Sequence, residues 1–270
     1  QFLKEFNTFI NAPNGIQQLR NLIVELAVEG EFDEHDASDE DVASLLEDIH
    51  AQREDLLAKR IIRKERSPSS LNELEKPFEI NKNWVWTRLG DLAWPLSGAA
   101  FKSEYFNDQG IGKAIIRIGN LSQTKDQIYY SGEFDPRYLV NKGEYLVGMS
   151  GEFKVAQWQS QASLLNQRVA RLIFFDKRIN RYFVAMSLQM RLSHLHKGYS
   201  FTTLKNLSLS DLCDSVIALP PLEEQERIVA RVDELMELCD RLEEEQQAAE
   251  AFSDELRVST FHHLIQPEKP

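Results

Sequence analysis

The chain has 270 residues, 42 % of them hydrophobic and 27 % charged, with a formal net charge of −12. That balance belongs to a globular protein with one or two real cores and excludes a disordered or low-complexity chain. No apolar run reaches the roughly 20 residues that span a bilayer, and the opening QFLKEFNTF lacks the basic flank and apolar core of a signal peptide.

In chain order, Ala12-Pro13-Asn14-Gly15 is a turn. Ile16, Leu19, Leu22, Ile23, Leu26 and Ala27 then share one face of a helix that Gly30 stops. An acidic loop follows, where Ser38 or Asp39 can cap a second helix carrying Val42, Leu45, Leu46, Ile49, Leu56, Leu57 and Ile61. That helix ends in the basic run KRIIRKER, which suits a helix C-terminus. Ser67-Pro-Ser-Ser is a linker. From Trp84 the texture changes to short runs (AIIRIGNL, YLVGMS, RVARLIFF, SVIALP) bounded by turn residues, as strands are. One helix, at about 179–195, lies among them. Pro220-Pro221 breaks the chain, and a helix is predicted over 222–265 with Glu223, Glu224 and Glu226 near its positive end.

In that last helix Ile228, Val232, Leu235, Cys239 and Leu242 recur at +4, +3, +4, +3. This is a heptad seam that needs a partner helix. At about 1.5 Å per residue the helix is about 65 Å long, too long for so small a domain to cover, so it projects or pairs. The expected fold is α+β: residues 1–83 a helical N-terminal arm and linker, 84–220 a compact mixed domain, 221–270 a long coiled-coil-type helix for dimerisation or docking. Cys213 and Cys239 are too few for a disulfide framework and have no Cys/His cluster for zinc, so a reducing cytoplasm is expected.

The net charge divides unevenly. Residues 84–220 carry 16 Lys and Arg against 11 Asp and Glu, net +5, while 1–83 is net −8 and 221–270 net −9. A duplex is drawn to the centre and repelled by the arms. The loops of the centre hold donor-rich side chains of the kinds that contact phosphates and base edges. The candidates are Lys102, Ser103, Tyr105, Arg117, Asn120, Lys154, Gln157, Gln159, Arg168, Ser200, Thr202 and Lys205. Trp84, Trp86 and Trp94 suit core packing better than base stacking.

Several motifs stand in one order: APNGIQQLRNLIVELAVEGEF, WVWTRLGDL, SGAAFKSEYF, IIRIGNL, VNKGEYLVGMSGEFKVAQW (with Glu144 where Asp is commoner), LLNQRVARL, GYSFTTLKNLSLSDL, and LPPLEEQERIV before the long helix. Together they resemble the specificity subunits of Type I restriction–modification enzymes over nearly the whole chain. That resemblance implies a target recognition domain that reads one half of a bipartite DNA site, without catalysis. It implies helices that hold the modification (M) subunits and, through them, the restriction (R) subunits. The chain itself would bind no cofactor; S-adenosylmethionine, ATP and Mg²⁺ would belong to those partners. Members of the family carry two recognition domains and two such helices, whereas this sequence has one of each. The chain is then either a natural half-subunit or an N-terminal fragment of a two-domain subunit; for a half-subunit the resemblance implies a homodimer through the long helix, in a bacterial or archaeal cytoplasm, with no membrane partner.

Two alternatives remain open: a stand-alone dimeric DNA-binding protein, and a Mg²⁺-dependent nuclease built on Asp135 and the Glu152-Phe-Lys154 triplet. No phosphate-binding loop, methyltransferase motif or metal-ligand pattern is present in the sequence.

Overall fold

The computed structural model describes residues 12, 14–32, 39–63, 71–72, 75–122, 127–151, 153–198 and 206–265; for 195–198 and 259–265 only the backbone is described. Two compact units emerge, one of residues 1–27 with 229–270, the other of residues 28–228. The division by texture at 83/84 is therefore not the division by packing, because residues 28–83 belong with the mixed domain.

In the larger unit, helix α2 (Val42–Ala58) is capped by Asp41, whose side chain accepts from the Ala43 N–H. Neither Ser38 nor Asp39 fills that role. Ser38 lies outside the described residues, and the Asp39 carboxylate instead takes the Arg227 guanidinium at 2.8 and 3.0 Å. Val42, Leu45 and Ile49 recur at helical spacing and enter the largest apolar cluster. Among the described residues eleven strands follow, several only two residues long. β1 (Val85–Arg88) pairs antiparallel with β11 (Val216–Leu219), so the first and last strands of the domain meet. A four-stranded antiparallel sheet runs in the order β2 (Ala93–Ser97), β10 (Val169–Phe174), β7 (Tyr145–Gly148), β8 (Val155–Gln157). A five-stranded sheet runs β3 (Phe106–Asn107), β5 (Tyr129–Tyr130), β4 (Lys113–Ile116), β9 (Ser163–Leu165), β6 (Leu139–Val140), with β4 and β9 parallel.

The continuous apolar runs of β4, β7 and β9 have a simple cause. Successive side chains point to opposite faces, and both faces are covered. Leu146 enters the cluster of Ile116, Trp158 and Leu165, while its neighbour Val147 enters the largest cluster. Ile115 and Leu164 form a third cluster with Tyr130, whereas Ile116 and Leu165 belong to the second. At Gly98, where β2 passes into its loop, an added Cβ would lie 2.0 Å from the Leu165 carbonyl oxygen, so only glycine fits.

In helix α4 (Arg181–Gly198) the stretch from Phe183 to Leu188 is buried on every side, which calls for apolar residues there; Phe183, Val184, Leu188 and Leu192 are fully enclosed. α3 (Leu89–Leu92) is a single turn, and α5 (Leu209–Cys213) is closed by a Ser208/Asp211 capping box.

The PPLEEQ run closes this unit. Helix α6 (Leu222–Ile265) begins directly after Pro221. Glu224 is fully buried and accepts the Trp84 indole N–H at 2.7 Å and the Asn83 amide at 2.6 Å. Gln225, equally buried, donates to the Pro220 carbonyl at 2.9 Å and accepts from the Asn180 N–H at 3.2 Å. One residue ties the start of β1, the next ties the start of α4. Arg88, buried in β1, donates to both carboxylate oxygens of Glu75 at 2.9 Å and to the Asp214 carbonyl.

In the smaller unit, α1 (Gly15–Glu29) and α6 meet through an apolar seam. Ile16, Ile23 and Ala27 are buried on α1; Val232 and Cys239 are buried on α6, with Leu235 and Leu242 half-buried. Arg20 bridges the rim, to Asp240 at 2.7 Å and Glu243 at 2.8 Å. The remaining seam residue, Ile228, is buried in the larger unit.

Candidate nucleic-acid interface

The hairpin of β7 and β8 builds the site. Its turn reads Met149-Ser-Gly-Glu-Phe-Lys154, and Phe153 takes a left-handed backbone conformation (φ 50°). That conformation costs a non-glycine residue about 1–2 kcal/mol. Full burial of the phenyl ring in the largest cluster, worth about 1.5–3 kcal/mol, offsets it. The ring thus pins the turn. The backbone bond from Gly148 N–H to Lys154 C=O, at 2.8 Å, closes it and sets Lys154 at the mouth of a groove.

The groove has a volume of ≈ 490 Å³ and is lined by Asn120, Lys154, Gln157 and Gln159, together with Gln127, Ser160 and the apolar Leu121, Ala156 and Trp158. β8 is the edge strand of its sheet. Its Val155 N–H is covered by the Gln189 side chain at 2.7 Å, which blunts the edge. Trp158 is buried and anchored by its indole N–H on the Gln161 carbonyl, 2.9 Å away. Its neighbours Gln157 and Gln159 are exposed.

The Gln157 amide nitrogen donates to the Gly143 carbonyl at 3.2 Å, and its oxygen accepts from the Gln159 amide nitrogen at 2.7 Å. Gln127 spends its amide nitrogen on the Ile115 and Ile128 carbonyls, and Asn120 accepts the Arg117 N–H at 2.9 Å, closing its loop. No ion pair involves Lys154 among the described residues. A second cleft of ≈ 350 Å³ shares Gln157 and is lined by Lys177, Arg178 and Arg181. Asp176 and Asp48 neutralise Arg178 at 2.9 Å each, and its hydrogen bond holds the Asp176 carboxyl below the ordinary carboxylate range. Lys177 and Arg181 are exposed.

Of the twelve sequence candidates, the groove brings together Asn120, Lys154, Gln157 and Gln159. Lys102, Ser103 and Tyr105 sit elsewhere, at a 3₁₀ turn, Lys102 beside Glu104 at 3.8 Å and Tyr105 edge-on to Tyr130. Arg117 and Arg168 are exposed, and neither lines the groove. Ser200, Thr202 and Lys205 lie outside the described residues. Lys177 and Arg181 escaped the sequence reading; the run Asp176-Lys-Arg-Ile-Asn-Arg181, three cations in six residues, was the available signal.

Asp135 caps the turn at Pro136 and pairs with Arg137 at 2.7 Å, and Glu152 lies outside the described residues. Among the described residues no group of three His, Cys, Asp or Glu could hold a metal ion, and no helix is long and apolar enough to cross a membrane.

The family model of the Type I restriction modification DNA specificity domain matches residues 81–251. The chain is 34 % identical over 163 residues to the Type I restriction enzyme EcoBI specificity subunit of Escherichia coli, covering 60 % of this chain and 34 % of that one. It is 26 % identical over 255 residues to the EcoAI specificity subunit of the same organism, covering 88 % and 43 %. The chain thus spans less than half the length of these curated relatives. Its fold is similar to that of a chain from a structure of the type I R-M system described for complex assembly and conformational transition. There the TM-score is 0.54 at 21 % identity, over 94 % of this chain and 57 % of that one. The HsdS subunit from Thermoanaerobacter tengcongensis gives a TM-score of 0.50 at 20 % identity, over 86 % and 53 %. The matched residues run from the start of the mixed domain into α6 and cover more than half of the chain: the chain belongs to the Type I restriction modification DNA specificity domain family.

Proposed function

We propose that this chain is a sequence-specific DNA-recognition subunit of a Type I restriction–modification system. It is non-catalytic, reads one half of a bipartite target, and docks the methyltransferase (M) subunits and through them the restriction (R) subunits. It binds no cofactor of its own; S-adenosylmethionine, ATP and Mg²⁺ act on the partner subunits, in a bacterial or archaeal cytoplasm.

The observation that carries this reading is that the matched residues 81–251 contain residues 84–220, the net-positive part of an acidic chain. A groove of amides and a lysine opens within that stretch. Phosphate contacts by lysines give sequence-independent affinity and a steep salt dependence, and the amide-bearing groove supplies donors and acceptors for base edges. The helical unit serves assembly: it is acidic, and it leaves Leu238, Phe252 and Val258 exposed on α6, which favours a homodimer or a partner helix there.

Duplex binding by the chain with its modification subunit, measured over a range of salt, tests the reading. Lys154→Ala should weaken binding on all sequences and reduce the salt slope by about one. Lys102→Ala and Lys205→Ala probe the other two loops. Unchanged affinity and slope in all three would overturn the assignment of phosphate contacts to these lysines. Failure of the chain to co-purify with a methyltransferase would favour a stand-alone DNA-binding dimer, and a strict monomer at micromolar concentration would exclude the homodimer.

A further inference from the structure

We propose that Gln159, held by Gln157, is a base-reading side chain, and that the base it selects is adenine in an A·T pair. This rests on the DNA-recognition reading and goes beyond it by assigning one contact.

Bond polarity fixes the sense of both amides. The Gly143 carbonyl can only accept, so the end of the Gln157 amide that meets it must be nitrogen. The Gln157 oxygen therefore points the other way, and it receives a hydrogen from the Gln159 nitrogen. A backbone carbonyl thus sets the sense of two amides in series. Gln159 keeps its second N–H and its oxygen to offer, a donor and an acceptor of set sense on an exposed residue just past the edge strand.

In the major groove adenine offers the complement, N6–H to give and N7 to accept. Guanine offers two acceptors, so its O6 would face the Gln159 oxygen and be repelled, and the repulsive contact sharpens the choice as much as the attractive one. Cytosine and thymine each satisfy only one of the two groups. The surroundings suit a duplex: Gln157 stands between two openings, one bearing Lys154 and the other Lys177 and Arg181 together with Glu226, so cations lie on both sides of Gln157. Gln159 is the specificity-determining residue and Gln157 its positioning residue.

Selection from a random duplex pool by the full chain with its modification subunit tests this, with wild type, Gln159→Ala, Gln157→Ala and Gln159→Glu in parallel. Wild type should enrich a motif containing an A·T pair whose identity Gln159→Ala relaxes by roughly tenfold to a hundredfold, at that position alone. Gln157→Ala should relax the same position by less. Gln159→Glu, an acceptor without a donor, should move the preference at that position to cytosine. Both side chains are exposed, so the variants should melt with wild type. A wild-type motif reproduced unchanged by Gln159→Ala overturns this assignment and leaves the DNA-recognition reading standing. A wild-type protein that enriches no motif overturns that reading, and this assignment with it.

Discussion

The two compact units bury their surface differently. The unit of residues 28–228 uses both faces of its inner strands, and most of its buried polar side chains have partners: Glu224 with Trp84 and Asn83, Gln225 with Pro220 and Asn180, Arg88 with Glu75. The unit of residues 1–27 and 229–270 has one apolar seam with ion pairs at an exposed rim. The difference shows where sequence can vary. In the larger unit the exposed polar side chains of the groove, Gln157 and Gln159 among them, hang from an edge hairpin outside the core, so they can change with little cost in stability. In the helical unit the seam is the fold itself.

The largest effect expected from this contrast is at Glu224. Glu224→Leu leaves the Trp84 indole N–H and the Asn83 amide buried without their acceptor, and should cost about 2–4 kcal/mol in denaturant unfolding. Glu224→Gln keeps one acceptor oxygen and should cost less. A leucine variant as stable as wild type would break the view that buried polar ties close the larger unit.

That tie marks where the sequence was legible and where it was not. Pro220-Pro221 and the glutamates after them mark the start of α6, and the heptads its seam, because helix signals are local. Glu223, Glu224 and Glu226 read alike as charge near a helix end, yet only Glu224 is enclosed, since its partners lie about 140 residues earlier. The strand runs announced a mixed domain. They did not announce the two-residue strands, the β1–β11 pairing or the parallel β4–β9 pair, which depend on contacts distant in sequence. Gln157 and Gln159 were visible as donors; their fixed polarity comes from the Gly143 carbonyl across the hairpin, which no local pattern carries. Likewise the polar residues at 102–105 share the groove's composition but not its place.

Acid and base should weaken the two units in opposite senses. The Arg178 hydrogen bond depresses the Asp176 carboxyl in the folded state. Its stabilisation is complete above the unfolded value near about 3.9 and is lost as pH falls through the lower folded value. Burial pushes the Cys239 thiol up. Its contribution is complete below the unfolded value near about 8.5 and is lost as pH rises through the folded one. Melting temperatures across pH should therefore fall at both ends. Asp176→Asn should flatten the acid limb only, and Cys239→Val, which keeps an apolar seam, the alkaline limb only. One substitution flattening both limbs would break the separation.

The smallest effect belongs to the rim of the helical unit. Arg20 has 20 % of its side chain exposed, while its partners Asp240 and Glu243 have 62 % and 50 %. Exposed carboxylates gain little from an ion pair, because water and salt screen it and the side chains lose freedom in making it. Asp240→Asn should therefore cost well under about 1 kcal/mol, and that cost should vanish in molar salt. Arg20→Ala should cost more and keep part of its effect in salt, because the arginine stem covers apolar surface beside the seam as well as carrying charge. Denaturant unfolding of the three proteins at low and high salt separates the two contributions. Equal, fully salt-sensitive losses in both variants would mean that charge alone holds the rim; a salt-resistant loss confined to Arg20→Ala would place this cation with the apolar seam as part of what holds α1 to α6.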